Sequence, residues 1–236
     1  MPYVAEFVGS LVFLLGGYAY MCNISLVDTL VGDLNYIELA VAWSLAVGFG
    51  LAVAVIMGGP AYLNPGAVLG NIIFSGLDPM EGLKYIGCEF LAAGTAIALC
   101  WIFFLHNFEN TEDTDKRGIF SAYPTDYNLG LNFLQEVIAT FAFLFLVLTT
   151  IKAASGTAAP IYIGVVGFAA VMLLSLTLNS TGFSMNAMRS FFSSIWFTIL
   201  PIPNKGEGVD WTYQFVVNFI GSSIGGVLAV MAVSMF

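Results

Sequence analysis

The sequence predicts an all-α membrane protein with six transmembrane helices and two re-entrant half-helices, arranged as an inverted repeat. Of the 236 residues, 59% are hydrophobic and only 9% are charged, whereas soluble domains carry about 25% charged residues. Six apolar segments have the roughly 20 residues needed to cross a bilayer. Two shorter segments, one in each half, begin with loop-forming residues and continue in a helical pattern. This is the pattern of a loop that dips into the membrane and returns.

The composition also excludes several classes of function. A soluble enzyme of this size could not keep so much apolar surface from aggregating. The formal net charge of −9, from 15 acidic and 6 basic residues, argues against a nucleic-acid partner. The three cysteines are an odd number without metal-like spacing, and the single histidine, His106, cannot form a triad. We therefore expect a lipid bilayer around the protein, no cofactor or metal, and no enzymatic activity.

The six apolar segments divide into two groups of three. They cover approximately residues 3–26, 36–57, 83–105, 131–151, 160–178 and 211–236. The connection 106–129 is the longest and most acidic of the loops between them. We therefore expect a single domain over residues 1–236, in which this acidic loop joins two repeats that cover approximately 1–105 and 130–236.

Matched residues support the repeat. Glu6 opens the first span and Glu136 opens the fourth, and each is followed four residues later by a small hydroxyl residue. Asn64 and Asn186 follow these two glutamates at similar distances along the chain. Because each half contains three spans, the second copy must be inserted upside down. Inverted repeats place their functional site at the repeat interface near the membrane midplane.

The first re-entrant segment covers residues 58–76 and contains Asn64, Pro65 and Gly66. Proline suits the first position of a helix, where its missing N–H costs nothing, and Asn64 would then cap that helix. Irregular backbone at membrane depth is tolerated only where protein buries it or where it lines water. The segment therefore indicates a water-filled pathway.

The second re-entrant segment covers residues 179–198, where Asn186 takes the cap position, Ala187 and Met188 follow, and Arg189 comes next. If the two half-helices meet end to end, their dipoles create a positive potential at the membrane centre, which repels cations, including hydronium. The two asparagine amides would offer N–H donors to a passing solute. An arginine in such a pore is a recognised means of excluding protons and cations.

Glu6 and Glu136 lie within apolar spans, where an ionisable residue indicates a function. We expect both to be structural, with carboxylates that accept hydrogen bonds from the free N–H groups of the re-entrant loops. The alternative is a proton relay that includes Glu89, a third carboxylate in a span. That alternative would make the protein a proton-coupled secondary transporter.

These features resemble the aquaporin and aquaglyceroporin family, the major intrinsic proteins, over nearly the whole chain. The matching segments are residues 5–9, 63–67, 135–136, 182–186 with Arg189, and 220–222. Residues 118–124 look especially like the bacterial glycerol facilitators. The family's Asn-Pro-Ala motif is altered in both copies, to Asn-Pro-Gly at 64–66 and Asn-Ala-Met at 186–188. We expect the bulky Met188 to narrow or reshape the centre of the pore.

The resemblance implies a selectivity filter of four positions near the outer mouth. Trp43, Leu174, Phe183 and Arg189 occupy these positions in the sequence, with an uncertainty of one helical turn for Leu174. Counting back from the first motif without a gap would put Ser44, not Trp43, in the second-span position. An aromatic corner that faces an arginine suits a polyol, whose CH groups contact the rings and whose hydroxyls accept from the guanidinium.

The resemblance further implies a passive channel for small uncharged solutes, glycerol or water, that excludes protons and ions. Ser190 stands where glycerol facilitators usually carry aspartate, and Tyr62 replaces a common histidine. These departures leave other small neutral solutes open, such as an undissociated weak acid, urea or ammonia. The resemblance also implies a homotetramer in the plasma membrane with cytoplasmic termini.

Overall fold

The computed structural model describes residues 1–32, 35–112 and 116–236, and the regular structure within these ranges is helical. The helices in chain order are α1 (Pro2–Ser25), α2 (Tyr36–Ile56), α3 (Pro65–Phe74), α4 (Pro79–Phe103), α5 (Leu105–Asn110), α6 (Arg117–Phe120), α7 (Leu129–Ala153), α8 (Ala159–Thr177), α9 (Ser193–Ile199), α10 (Trp211–Tyr213) and α11 (Ser222–Ser234). Residues 113–115 of the expected acidic loop lie outside the described ranges.

Six described helices are long and apolar enough to cross a membrane, which confirms the predicted fold class. These are α1, α2, α4, α7, α8 and the sixth span Trp211–Ser234. The sixth span consists of α10, a π-helical segment Gln214–Gly221 and α11. The two half-helices are α3 and a second one that begins with the π-helical turn Met188–Phe192 and continues as α9.

Local sequence explains where several helices begin. The side-chain oxygens of Asn35, Asp78 and Asn128 accept hydrogen bonds from the first free N–H groups of α2, α4 and α7. Such caps satisfy donors that have no partner within the helix. Pro65 occupies the first turn of α3, and Asn64 caps it, as the sequence predicts for the first half-helix.

Glycine pairs allow the spans to approach closely. A Cβ added to Gly9 would lie 2.9 Å from the carbonyl oxygen of Gly50, and one added to Gly48 would lie 2.7 Å from that of Gly164. These contacts bring α1 against α2 and α2 against α8, as small residues do between membrane helices. The two halves also interlock, because α3 packs on α11 and α9 packs on α4.

Candidate solute pathway

A cavity of about 330 Å³ lies where the two re-entrant loops meet between the spans. Asn64 and Asn186 line it from the two loops, and Trp43, Phe183 and Arg189 line it as well. The rest of its wall is mostly apolar. The structure therefore brings both asparagines and three of the four expected filter residues to one cavity.

Asn64 and Asn186 make the same hydrogen bonds in their respective repeats. The Oδ1 atom of Asn64 accepts from the N–H of Gly66, and that of Asn186 accepts from the N–H of Met188, each at 2.9 Å. The Nδ2 atom of Asn64 donates to the carbonyl of Met185 at 2.8 Å, and that of Asn186 donates to the carbonyl of Leu63 at 2.7 Å. These partners fix both amide orientations. No acceptor among the described residues takes the second hydrogen of either Nδ2.

The backbone before each asparagine has the same unusual conformation. Ala61 and Leu63 have φ angles of 55° and 46°, and Phe183 and Met185 have φ angles of 64° and 47°. This left-handed region is costly for residues other than glycine and persists only where the surroundings enforce it. The repeat thus extends to the backbone of the pore loops.

Two buried carboxylates help to hold the backbone of the re-entrant loops in this conformation. Glu6 accepts hydrogen bonds from the N–H groups of Leu63 at 2.5 Å and Tyr62 at 3.2 Å. Glu136 accepts from the N–H of Met185 and from the hydroxyl of Thr181, the latter at 2.9 Å. These contacts are those expected of a structural carboxylate that satisfies free N–H groups of a re-entrant loop.

Glu89 is fully buried, and neither of its oxygens has a hydrogen-bond partner of ordinary geometry among the described residues. Glu89 does not line the cavity. Its carboxyl group therefore has no described contact with the solute path.

Arg189 lies against the wall of the cavity and is 6% exposed. Its guanidinium carbon is 4.6 Å from the centre of the Trp43 ring, a cation–π distance. Its Nη1 atom donates to the hydroxyl of Ser190 at 3.2 Å. Trp43 also makes an edge contact with Tyr18, at 6.0 Å between ring centres. These contacts support Trp43 as the second-span position, because Ser44 is buried away from the cavity and donates to Ala40.

The fifth-span position differs from the expected one. Leu174 is buried but does not line the cavity, whereas Val171 and Ser175 do. Residues four apart share one face of a helix, and it is this face of α8 that the cavity meets. Val171 lies within the one-turn uncertainty that the sequence prediction carries for this position.

Met188 also departs from expectation, because it is 1% exposed and belongs to the hydrophobic core, not to the cavity wall. It therefore does not narrow the centre of the pore. In the first motif, a Cβ added to Gly66 would lie 3.0 Å from the Ser222 carbonyl oxygen and 3.2 Å from the Gly226 Cα. The third position of each motif therefore contributes to packing, while Pro65 and Ala187 are buried at the helix starts.

The second half-helix begins with a π turn, in which a backbone N–H donates to the carbonyl five residues earlier instead of four. Hydroxyl groups donate to the next two carbonyls. The Ala187 carbonyl accepts from the N–H of Phe192 at 3.1 Å. The hydroxyl of Ser193 donates to the Met188 carbonyl, and that of Tyr18 donates to the Arg189 carbonyl, each at 2.7 Å. Such π segments occur frequently at functional sites. Sequence reasoning missed Tyr18, whose only signal was a polar side chain within an apolar span.

Six spans, two half-helices and paired amides at a central cavity define a membrane channel built as an inverted repeat. The family model described as "Major intrinsic protein" matches residues 2–233, so the chain belongs to the major intrinsic protein family. It is 32% identical over 231 residues to glycerol uptake facilitator protein 2 of Lactiplantibacillus plantarum, covering 96% of this chain and 95% of that relative. It is also 32% identical over 240 residues to the glycerol uptake facilitator protein of Streptococcus pneumoniae serotype 4, covering 98% and 97% of the two chains.

The fold is also similar to that of a solved structure. The X-ray structure of the aquaglyceroporin from Plasmodium falciparum matches with a TM-score of 0.83 at 19% identity, covering 99% of this chain and 94% of that one. At this identity the likeness concerns the fold alone. The fold and family together identify the chain as an integral membrane channel protein.

Proposed function

We propose that this channel conducts glycerol and water passively and excludes protons and ions. The observation that carries the proposal is the shared cavity wall of Asn64, Asn186 and Arg189, which presents N–H donors along one path. Both glycerol uptake facilitators reported above support the same solute, because the chain matches them over nearly their full lengths. The proposed unit is the single domain 1–236 with its two inverted repeats.

The wall suits a polyol because it is polar on some surfaces and apolar on others. Each asparagine keeps one N–H free, and Arg189 uses one hydrogen bond within the described protein, so several donors remain for hydroxyl oxygens. Trp43, Phe183 and Val171 supply apolar surface for the CH groups. A solute with alternating hydroxyl and CH groups can replace its lost water contacts on such a wall.

Exclusion of cations follows from the positive groups at the cavity. Arg189 is buried beside the path, and no described carboxylate lies within ion-pair distance of it. The N-terminus of α3 adds the positive end of a helix dipole. A proton or metal cation would therefore meet a repulsive potential, while a neutral solute would not.

Assembly and placement complete the proposal. Large apolar side chains on the outer faces of the spans are exposed in the single chain, including Phe49, Ile161 and Val165. They require lipid or neighbouring copies as partners. We place the protein in the plasma membrane as a homotetramer with cytoplasmic termini, with one pathway in each subunit and no enzymatic activity.

A second solute class is favoured by Ser190. Its neutral hydroxyl contacts Arg189, so the guanidinium charge is not cancelled by a neighbouring carboxylate in the described structure. An undissociated hydroxy acid carries no charge, and both its carbonyl oxygen and its hydroxyl oxygen can accept hydrogen bonds from the guanidinium. Lactic acid is therefore the first alternative to compare with glycerol.

The test is stopped-flow light scattering on proteoliposomes that contain the wild-type protein. Glycerol and water flux above that of empty liposomes, unchanged when a proton gradient is imposed, is the expected result. Parallel measurements with urea and lactic acid rank the solutes. Flux that appears only with a proton gradient would instead support a secondary transporter.

A further inference from the structure

Part of the cavity wall comes from the connection between the two repeats. We call residues 118–125 of this connection the wall segment, because the cavity is lined by its residues Gly118, Ser121, Ala122, Tyr123 and Thr125. The segment begins within the short helix α6 and continues without regular structure towards α7. Irregular backbone in a membrane protein needs partners for its polar groups. The position of this wall therefore depends on the groups that bind its backbone.

Two amide side chains of the sixth span bind the backbone of the wall segment. The carbonyl oxygen of Ala122 accepts from Nε2 of Gln214 at 3.1 Å and from Nδ2 of Asn218 at 2.9 Å. Nδ2 of Asn218 also donates to Oε1 of Gln214 at 2.9 Å. Because a carbonyl can only accept, these bonds fix the orientation of both amides. The sixth span thus supplies two donors to one carbonyl of the wall.

Packing alone does not favour these amides at their positions. Gln214 and Asn218 are fully buried in an apolar span, and Oδ1 of Asn218 has no hydrogen-bond partner among the described residues. A buried acceptor without a partner costs free energy. Both residues belong to the π-helical segment Gln214–Gly221, and such segments occur frequently at functional sites.

The wall segment in turn packs on the second re-entrant loop. A Cβ added to Gly182 would lie 2.3 Å from the carbonyl oxygen of Tyr123 and 2.7 Å from its backbone nitrogen. A side chain at position 182 would therefore force the two backbones apart. Phe183, the next residue of the re-entrant loop, lines the cavity. A displacement of the wall at Ala122 and Tyr123 would thus extend to the loop that carries Phe183.

We propose that Gln214 and Asn218 are positioning residues of the solute path and that they restrict the size of the solute that passes. The proposal rests on the proposed channel function. Neither residue lines the cavity, so both act through the carbonyl of Ala122. While this carbonyl is bound, the wall keeps the width of the path constant; a released wall yields to a larger solute. Preorganised surfaces discriminate between ligands more sharply than mobile surfaces do.

Asn132 provides a matched control. It is a buried asparagine of α7, 3% exposed, that does not line the cavity. Its side chain accepts from the N–H of Asn128 at 2.9 Å and donates to Oε1 of Gln135 at 3.1 Å. These hydrogen bonds are local to the start of α7. Asn132→Leu therefore removes a buried amide and leaves the Ala122 carbonyl bound.

The experiment compares the wild type, Gln214→Met, Asn218→Leu, the double variant of these two changes and Asn132→Leu in proteoliposomes. Methionine and leucine keep the approximate volume of the amides and remove their donors. We expect the double variant to raise the permeability to erythritol, a four-carbon polyol, relative to glycerol by at least about threefold. The single variants should give smaller increases, and Asn132→Leu should give none. An unchanged ratio in the double variant, or an equal increase in Asn132→Leu, would overturn the proposal.

A second measurement keeps this proposal separate from the channel function. The N–H of Ala122 donates to the Ser190 hydroxyl at 3.1 Å, so hydrogen exchange in peptides covering residues 118–126 reports the wall segment in the purified protein, without any transport. We expect exchange about fivefold faster in the double variant than in the wild type and Asn132→Leu. Unchanged exchange in the double variant would contradict the binding of the wall by the two amides.

The two measurements fail independently. A wild type without glycerol flux would refute the proposed function, and the exchange result would still decide whether the amides hold the wall segment. If the double variant does not fold, Gln214→Met and Asn218→Leu are compared with Asn132→Leu in both measurements. Single variants that match Asn132→Leu in both would then overturn the proposal.

Discussion

Asn64 and Asn186 each donate a hydrogen bond to the backbone that precedes the other. Asn64 donates to the carbonyl of Met185 at 2.8 Å, and Asn186 donates to the carbonyl of Leu63 at 2.7 Å. The two half-helix starts are thus joined by a reciprocal pair of bonds. The amides that face the solute path therefore also hold the two repeats together.

The reciprocal bonds predict a specific pattern of stability. Asn64→Ala and Asn186→Ala each remove a helix cap, which costs about 1–2 kcal/mol, and one bond between the loops, which costs about 1 kcal/mol. We expect similar decreases in the thermal unfolding midpoint for the two variants in detergent. The double variant should lose less than the sum, because both bonds serve one junction. Strict additivity, or a loss in only one single variant, would contradict the reciprocal arrangement.

The two buried carboxylates predict an asymmetry. Glu6 accepts from two backbone N–H groups, of Tyr62 and Leu63, whereas one of the two partners of Glu136 is the hydroxyl of Thr181. A glutamine amide facing a hydroxyl can donate to it after the hydroxyl turns, but an amide facing an N–H cannot be satisfied. We expect Glu6→Gln to lose about 1–3 kcal/mol of stability and Glu136→Gln to lose clearly less. The comparison is made by thermal unfolding of the two purified variants, and a larger loss in Glu136→Gln would contradict it.

The face of α8 at the cavity predicts which residue controls solute size. Val171 lines the cavity and Leu174 does not. We expect Val171→Gly to raise the permeability to glycerol relative to water, because it widens the path. Leu174→Ala should lower stability by about 2–5 kcal/mol, as large-to-small core changes do, and leave that ratio unchanged. Stopped-flow measurements of glycerol and water permeability distinguish the two variants. A changed ratio in Leu174→Ala would support Leu174 as the pore-lining residue that the sequence predicts.

The third positions of the two motifs predict packing effects. Gly66→Ala would place its Cβ 3.0 Å from a backbone oxygen of the last span, so we expect a loss of about 1–3 kcal/mol from overpacking. Met188→Ala would leave a void in the core, with a loss of about 2–5 kcal/mol. Neither change should alter the ratio of glycerol to water flux. A shift in that ratio in Met188→Ala would show that Met188 shapes the solute path, as the sequence predicts.

Much of this site could be predicted from sequence, and the repeat explains why. Two pairs of residues stand out because their members occupy equivalent places in the two halves: Asn64 with Asn186, and Glu6 with Glu136. The described contacts within each pair are similar. Residue types that are rare in apolar spans mark such positions clearly.

The remaining features depend on contacts that the linear pattern does not contain. The α8 segment is apolar on all sides, so the sequence does not reveal which face of this helix meets the cavity, and it predicts Leu174 for a position at which the cavity wall contains Val171. The contact of Tyr18 with Arg189 joins residues 171 positions apart. No local periodicity predicts such a bond.

In the proposed mechanism, the buried positive charge of Arg189 beside the paired amide donors makes a passive pore that rejects protons. Proteoliposomes with the wild type and Arg189→Val test it most directly, by stopped-flow glycerol flux together with proton leak from an entrapped pH-sensitive dye. We predict glycerol flux in the wild type that is independent of a proton gradient, with no proton leak, and a leak in Arg189→Val at least about tenfold higher. Glycerol flux that requires a proton gradient, or an equally low leak in Arg189→Val, would contradict it.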